Sequence, residues 1–176
     1  MKKFFLFFIS VLMCVGVMTS CSSDSDDLFD DDGEYTELTV GDGVSLIKSY
    51  PIACNDDYIR DSSPIDLITC YHSEKEWNAY VESAMYGRNF SEVANIDWDK
   101  QTLVFIEHHD SYGVSYGYCR VKKNGKKYIF DVGYKDWPTA TLSAIGVIVV
   151  IDQPNVPISN FKLNAVDGFD IEAAEN

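Results

Sequence analysis

Residues 101–106 read Gln-Thr-Leu-Val-Phe-Ile, and the four apolar side chains at 103–106 follow one another without a polar break. A strand with one wet face alternates apolar and polar residues, so an unbroken apolar run needs cover on both faces. The stretch therefore predicts a central strand. Residues 144–151, Ala-Ile-Gly-Val-Ile-Val-Val-Ile, predict a second, which ends before Pro154 and Pro157. Between them, residues 115–134 read SYGYCRVKKNGKKYIFDVGY. Asn124-Gly125 supplies the two positive-φ positions of a type I′ turn, so a hairpin is expected. Counting back from that turn pairs Val121 with Tyr128, Cys119 with Phe130 and Gly117 with Val132 on an inward face. Tyr116 and Tyr118 then fall on the outward face. Phe161–Val166 predicts a last strand, while the short apolar stretches of residues 38–70, broken by Gly and Asp, predict edge strands or ordered loops.

One helix is expected, over about residues 73–86. Ser73 and Glu76 form a capping box. Trp77, Tyr80, Val81, Ala84 and Met85 recur on one stripe, and Gly87 stands where a helix C-terminus takes glycine. The fold class is α+β: a mainly antiparallel β-sheet with one packed helix and an Asn-Gly hairpin, as a single domain over 38–170 with a tail over 171–176.

The chain has 176 residues, too few for a TIM barrel or a paired dinucleotide-binding fold. Its 28 acidic against 14 basic residues give a net charge of −14, which speaks against a nucleic-acid partner. Much of that charge is local. Residues 22–37 hold eight acids and no Lys or Arg, a self-repelling stretch that predicts a disordered, solvated tether. Residues 38–176 keep 20 acidic and 12 basic residues, near −8. Asp30-Asp31-Asp32-Gly33 lacks the alternate spacing and downstream Glu of a calcium loop.

Ahead of the tether, Lys2 and Lys3 precede an apolar run over Phe4–Met18, about 15 residues where a spanning helix needs roughly 20. This is the pattern of a secretory signal peptide over residues 1–20. Thr19-Ser20-Cys21 resembles the lipobox of bacterial lipoproteins. That resemblance implies a diacylglycerol thioether on Cys21, an acylated new N-terminus, and membrane attachment through several acyl chains. Ordinary signal-peptide cleavage, leaving Cys21 as a thiol, is the alternative. The Ser-plus-acidic run after Cys21 resembles the export signal of surface-exposed lipoproteins in some Gram-negative bacteria, which implies an outer-membrane protein facing outward. A plain spacer facing the periplasm is the other reading.

Cys54, Cys70 and Cys119 remain in the body. In an oxidising envelope Cys54 and Cys70, with 15 residues between them, could close a disulfide loop, with no disulfide as the alternative. Cys119 falls on the inward hairpin face as a buried thiol. No Cys/His spacing supports a metal site, and no cofactor is expected. His108-His109-Asp110 is metal-ligand material, but adjacent strand residues point to opposite faces, so two partly exposed strand-end histidines are expected. Gly113-Val114-Ser115-Tyr116-Gly117 matches the nucleophile-elbow pattern. It leads into a strand rather than a helix, with His72, His108 and His109 all upstream, so no catalytic residue is assigned. Asp97 and Asp99 around Trp98 suit turn chemistry better than a glycosidase pair. Tyr112, Tyr116, Tyr118, Tyr134 and Trp137 gather in or beside the hairpin and are the candidate ligand-binding residues, for a protein or a sugar ring. Lys122, Lys123, Lys126 and Lys127 predict a solvated hairpin tip, with a contact to an acidic ligand as the alternative.

The body from about Ser73 to Leu163 resembles the C-terminal domain of the PrcB family of protease-complex components. The resemblance is carried by Glu76-Trp77, the Ile96–Ile106 segment, the Gly117-Tyr118 strand opening and the Pro154–Leu163 run. It implies an accessory or protease-associated module without its own active site. The expected function is thus a non-enzymatic, lipid-anchored cell-envelope protein that binds a protein or peptide partner. The alternative is a glycan-binding lipoprotein using the aromatic hairpin face.

Overall fold

The computed structural model describes residues 33–52, 65–83, 90, 93, 95–110, 113–137 and 143–166, with the side chains of residues 65, 110, 136, 137, 143 and 166 outside that description. Among the described residues there are eight strands and one α-helix: β1 (Thr36–Leu38), β2 (Val44–Ile52), β3 (Ile65–Tyr71), α1 (Glu74–Ser83), β4 (Thr102–Asp110), β5 (Gly113–Asn124), β6 (Lys127–Trp137), β7 (Ser143–Ile151) and β8 (Phe161–Val166). They form an α+β fold, with one difference from the expected single sheet. There are two four-stranded sheets, ordered β2-β7-β4-β3 and β1-β5-β6-β8. All pairings are antiparallel except β6–β8.

The reason for two sheets lies in β4 and β7. Both are interior strands of the first sheet, and each has apolar residues on both faces. Val104, Ile106, Val147 and Val149 point into the core shared with the second sheet. Leu103, Phe105, Ile148 and Val150 point the other way, into a core closed by Trp77 of α1 and by Phe90. A helix can cover only one of these faces, so the β5–β6 hairpin sheet covers the other. Burying each such side chain contributes about 1.5–3 kcal/mol, which makes this three-layer stack the dominant stabilising term.

The helix starts as its sequence dictates. Ser73 Oγ accepts the Glu76 N–H at 3.3 Å, while the Glu76 carboxylate accepts the His72 N–H at 2.9 Å, one residue upstream of the usual reciprocal partner. Trp77 is buried, and its ring meets Tyr71 at 5.2 Å, Phe90 at 5.1 Å and Phe105 at 6.0 Å, all edge-on. Ala84, Met85 and Gly87 lie outside the described residues.

The hairpin forms, but with its turn displaced by one residue. Asn124 pairs with Lys127, so the two central residues are Gly125 and Lys126, and Gly125 carries the positive φ of 56°. A positive φ at the first central position suits a type II′ turn, which needs only that one glycine. Val121 therefore faces Phe130, and Cys119 faces Val132. The slip is two residues in register, so the same side chains still point inward. A second departure does change faces. The register shifts between Tyr116 and Tyr118, leaving Gly117 as a bulge. Tyr116 pairs with Tyr134 and packs into the core between the sheets, whereas Tyr118 pairs with Gly133 on the outer face. A Cβ on Gly133 would overlap the Tyr118 ring, so glycine permits this outward packing.

Gly146, inside β7, is required for a similar reason. A Cβ there would lie 2.5 Å from two ring carbons of Phe105 and 3.0 Å from Ile52 Cγ2. Since β7 is held between two strands, it cannot shift to make room. Gly146→Ala is expected to lower unfolding free energy by about 1–3 kcal/mol through overpacking, read as an earlier urea midpoint; an unchanged midpoint would contradict this packing.

Candidate functional site

The five aromatic residues singled out in the sequence do not share one surface. Tyr134 is fully buried and Tyr116 half-buried between the sheets, while Tyr118 lies on the outer face. Tyr112 lies outside the described residues, and of Trp137 only the backbone, ending β6, is described. The bulge at Gly117 is the physical cause, because it reverses the alternation that would have put Tyr116 beside Tyr118.

Among the described residues Cys70 and Cys119 are free thiols, and burial pushes each up to about 12. Cys119 points inward, as expected from the hairpin. Cys54 and Cys21 lie outside the described residues, and with Cys54 so does the Cys54–Cys70 pairing.

His108 and His109 diverge as strand geometry requires, but both are buried rather than partly exposed. His108 points between the sheets. Its Nδ1 lies 2.8 Å from Asp66 Oδ1, and its ring stacks on Tyr134 at 4.0 Å with 13° between planes. A carboxylate only accepts, so Nδ1 is the donor. His109 points toward the helix layer, with Nε2 3.7 Å from Glu107 Oε1, which also accepts from the Tyr80 hydroxyl at 3.3 Å. Burial pushes the Tyr116 phenol up to about 12 and Tyr134 higher, with Asp66 adding to the shift at Tyr134. Ser115 Oγ, the centre of the elbow-like motif, donates to the Lys135 carbonyl at 3.3 Å inside the β5–β6 ladder. Among the described residues no group of three metal-ligating side chains converges. The Asp66–His108 pair therefore orients a ring in the core. Its two members are 42 residues apart and meet only through the β3–β4 register, a pairing no local motif could reveal.

A more open arrangement lies on the helix side. Trp77 and Val81 of α1, with Phe90, Val93 and Trp98, line a groove of about 250 Å³, and Glu74 and Asn78 stand exposed at its rim. Trp98 is half-buried and sits on a braced turn. The Asp97 carbonyl accepts from the backbone of Lys100 at 2.9 Å and of Gln101 at 2.8 Å. The Asp97 carboxylate accepts from Lys100 Nζ at 2.6 Å, and this bond holds it below the usual carboxylate range. Gln101 accepts the Asp97 N–H at 2.9 Å, and its amide donates to Ser45 at 2.8 Å and Asp152 at 2.9 Å. Asp97 is a turn residue, as its spacing suggested, and the neighbouring tryptophan is the surface it presents. The signal for the groove was in the sequence as Trp77 and Trp98, but only folding brings them to one side.

No family model, no curated protein and no solved structure matches the chain.

The two large buried tyrosines make opposite predictions. Tyr128 donates to Gln153 Oε1 at 2.9 Å, whereas the Tyr134 hydroxyl is buried without a hydrogen-bond partner among the described residues. Tyr134→Phe should raise unfolding free energy by about 1 kcal/mol, because a desolvated hydroxyl is removed, and Tyr128→Phe should lower it by about 1 kcal/mol. Urea denaturation of both variants reads the signs; a destabilised Tyr134→Phe would contradict this account.

Proposed function

We infer that the protein is a non-catalytic, lipid-anchored lipoprotein of the cell envelope whose domain binds a peptide segment of a partner protein in the groove between α1 and Trp98. The signal-peptide pattern, Cys21 and the acidic tether support the anchoring, with the outer membrane and its outward face as the location. Eleven residues lie between Cys21 and Gly33, so the domain stands within about 40 Å of the lipid headgroups even with that chain fully extended.

The observation that carries the binding reading is the groove itself. It is concave and aromatic, and Trp77, Val81 and Trp98 are set on a helix and a braced turn, which lowers the ordering cost of binding. Tryptophan is the residue type most often found to dominate interface energies. Glu74 at the rim and the acidic body favour a peptide that places a large apolar side chain beside Lys or Arg. The resemblance to the PrcB family supports a role as an accessory component of a protease complex. The aromatic row of the glycan alternative is not one surface, since Tyr116 and Tyr134 turn inward.

Two measurements test this. Mass spectrometry of the mature protein from membranes should find an N-terminus at Cys21 carrying diacylglycerol and an acyl chain; an unmodified, soluble N-terminus would contradict the placement. Selection from a random peptide library should enrich peptides with an aromatic or large aliphatic residue next to a basic one. Their affinity should fall at least about tenfold in Trp98→Ala, and likewise in Asn78→Arg, which blocks the rim without touching the core. Selected peptides that bind both variants at full strength would overturn the groove as the site.

A further inference from the structure

The outer face of the second sheet carries a different kind of concavity. Lys122 of β5, Ile129 and Asp131 of β6, and Asn164 of β8 share that face by register, and with Gly33 and Tyr35 they line a recess of about 440 Å³. This is within the ~300–1,000 Å³ range of small-molecule sites. It lies on the opposite side of the molecule from the helix, which packs on the other sheet. The polar groups are tied together. Lys122 Nζ is 2.7 Å from Asp131 Oδ2, and Asn164 Nδ2 donates to Asp131 Oδ1 at 2.9 Å. Each carboxylate oxygen is thus held by a different donor, and the Asp131 side chain is only 16% exposed. The two bonds orient the carboxylate and so set the directions of its remaining lone pairs.

We propose that this recess is a binding site for a neutral hexopyranose, gripped through two adjacent hydroxyls. The inventory of unused valences carries the assignment. Beyond their mutual bonds, Lys122 retains two N–H donors, Asn164 a carbonyl oxygen and a second N–H, and Asp131 a lone pair on each oxygen. Donors and acceptors therefore alternate within one small patch. A sugar hydroxyl donates and accepts at once, and two on neighbouring ring carbons can each take one acceptor and one donor. The half-buried Tyr35 supplies apolar surface for the C–H side of the ring, with the buried Ile129 adding little.

Other ligand classes fit less well. An anion would face a lysine already neutralised by Asp131; Arg120 and Lys162 share the face by register but do not line the recess, and Asp32 and Glu34 adjoin Gly33 in sequence. A divalent cation would find one carboxylate, itself occupied by an ammonium. An apolar ligand would bury Asp131, Lys122 and Asn164 against nothing they can bond. The site is independent of the peptide groove, so either can fail alone.

The test uses the full-length lipoprotein in dodecylphosphocholine micelles, a detergent free of sugar. Saturation-transfer NMR with methyl α-mannoside, methyl β-galactoside and methyl β-glucoside covers both cis and all-trans hydroxyl pairs. At least one glycoside should bind with a dissociation constant of about 1–10 mM. Asn164→Ala and Asp131→Asn should each weaken it at least about tenfold with the urea midpoint within experimental scatter, while Trp98→Ala leaves it unchanged. If Asp131→Asn lowers the midpoint, the more exposed Lys122→Gln is the second variant, and it too should weaken binding. No transfer to any of the three glycosides at about 20 mM would overturn the proposal. So would binding that survives all three sheet variants, binding lost in Trp98→Ala, or displacement of the glycoside by inorganic phosphate at equal concentration, which would mark an anion subsite instead.

Discussion

Two strands with no wet face impose the architecture. Along β4 and β7, neighbouring side chains alternate between two apolar environments instead of one apolar and one aqueous. Leaving either side open would expose a continuous row of Val, Ile, Leu and Phe to water at about 25 cal/mol for each Å². The first sheet must therefore be sandwiched, and the chain supplies two covers of different kinds. A hairpin sheet lies on one side, and on the other an amphipathic helix whose Trp77 stands at the centre of an aromatic cluster. Everything else is arranged around that requirement, including the glycine at 146 that lets Phe105 lie flat against β7.

The three layers leave three distinct chemical environments. At one end of the sandwich the polar groups are closed on themselves: buried Thr102 donates to the Gln153 carbonyl at 2.8 Å and accepts the Val156 N–H at 3.1 Å. At the opposite end the inter-sheet core holds His108 and Tyr134, where ring stacking and a bond from His108 to the solvent-exposed Asp66 stand in for aliphatic packing. The two recesses are on the outer faces of the stack, one aromatic with Glu74 at its rim, the other lined mainly by polar side chains.

Much of this architecture was legible in the sequence, and the losses have identifiable causes. The uninterrupted apolar runs at 103–106 and 144–151 located both central strands, because burial on two faces leaves an unmistakable pattern. Ser73 and Glu76 located the helix start for an equally local reason. The second sheet was hidden, since a run that needs cover on both faces does not say what the covers are. Asn124-Gly125 misled by one position: glycine alone satisfied the turn, so Asn124 could remain in the strand. The bulge at Gly117 was invisible because its cause, Tyr118 folding over Gly133, lies on the partner strand. The Asp66–His108 pair is likewise a product of register across strands. The groove was half legible, as two tryptophans whose common side depends on how the Asp97–Lys100 turn is braced.

Native-state hydrogen exchange examines the central constraint most directly. If β4 and β7 are the shared wall of both cores, the amides of Leu103–Ile106 and Val147–Val150 are the slowest in the protein, and they exchange together only through global unfolding. The hairpin amides of β5–β6 and the helix amides should open earlier or with them, never later. Retained protection in β5–β6 after β4 and β7 have exchanged would mean that the second sheet stands without the first, and would contradict the account.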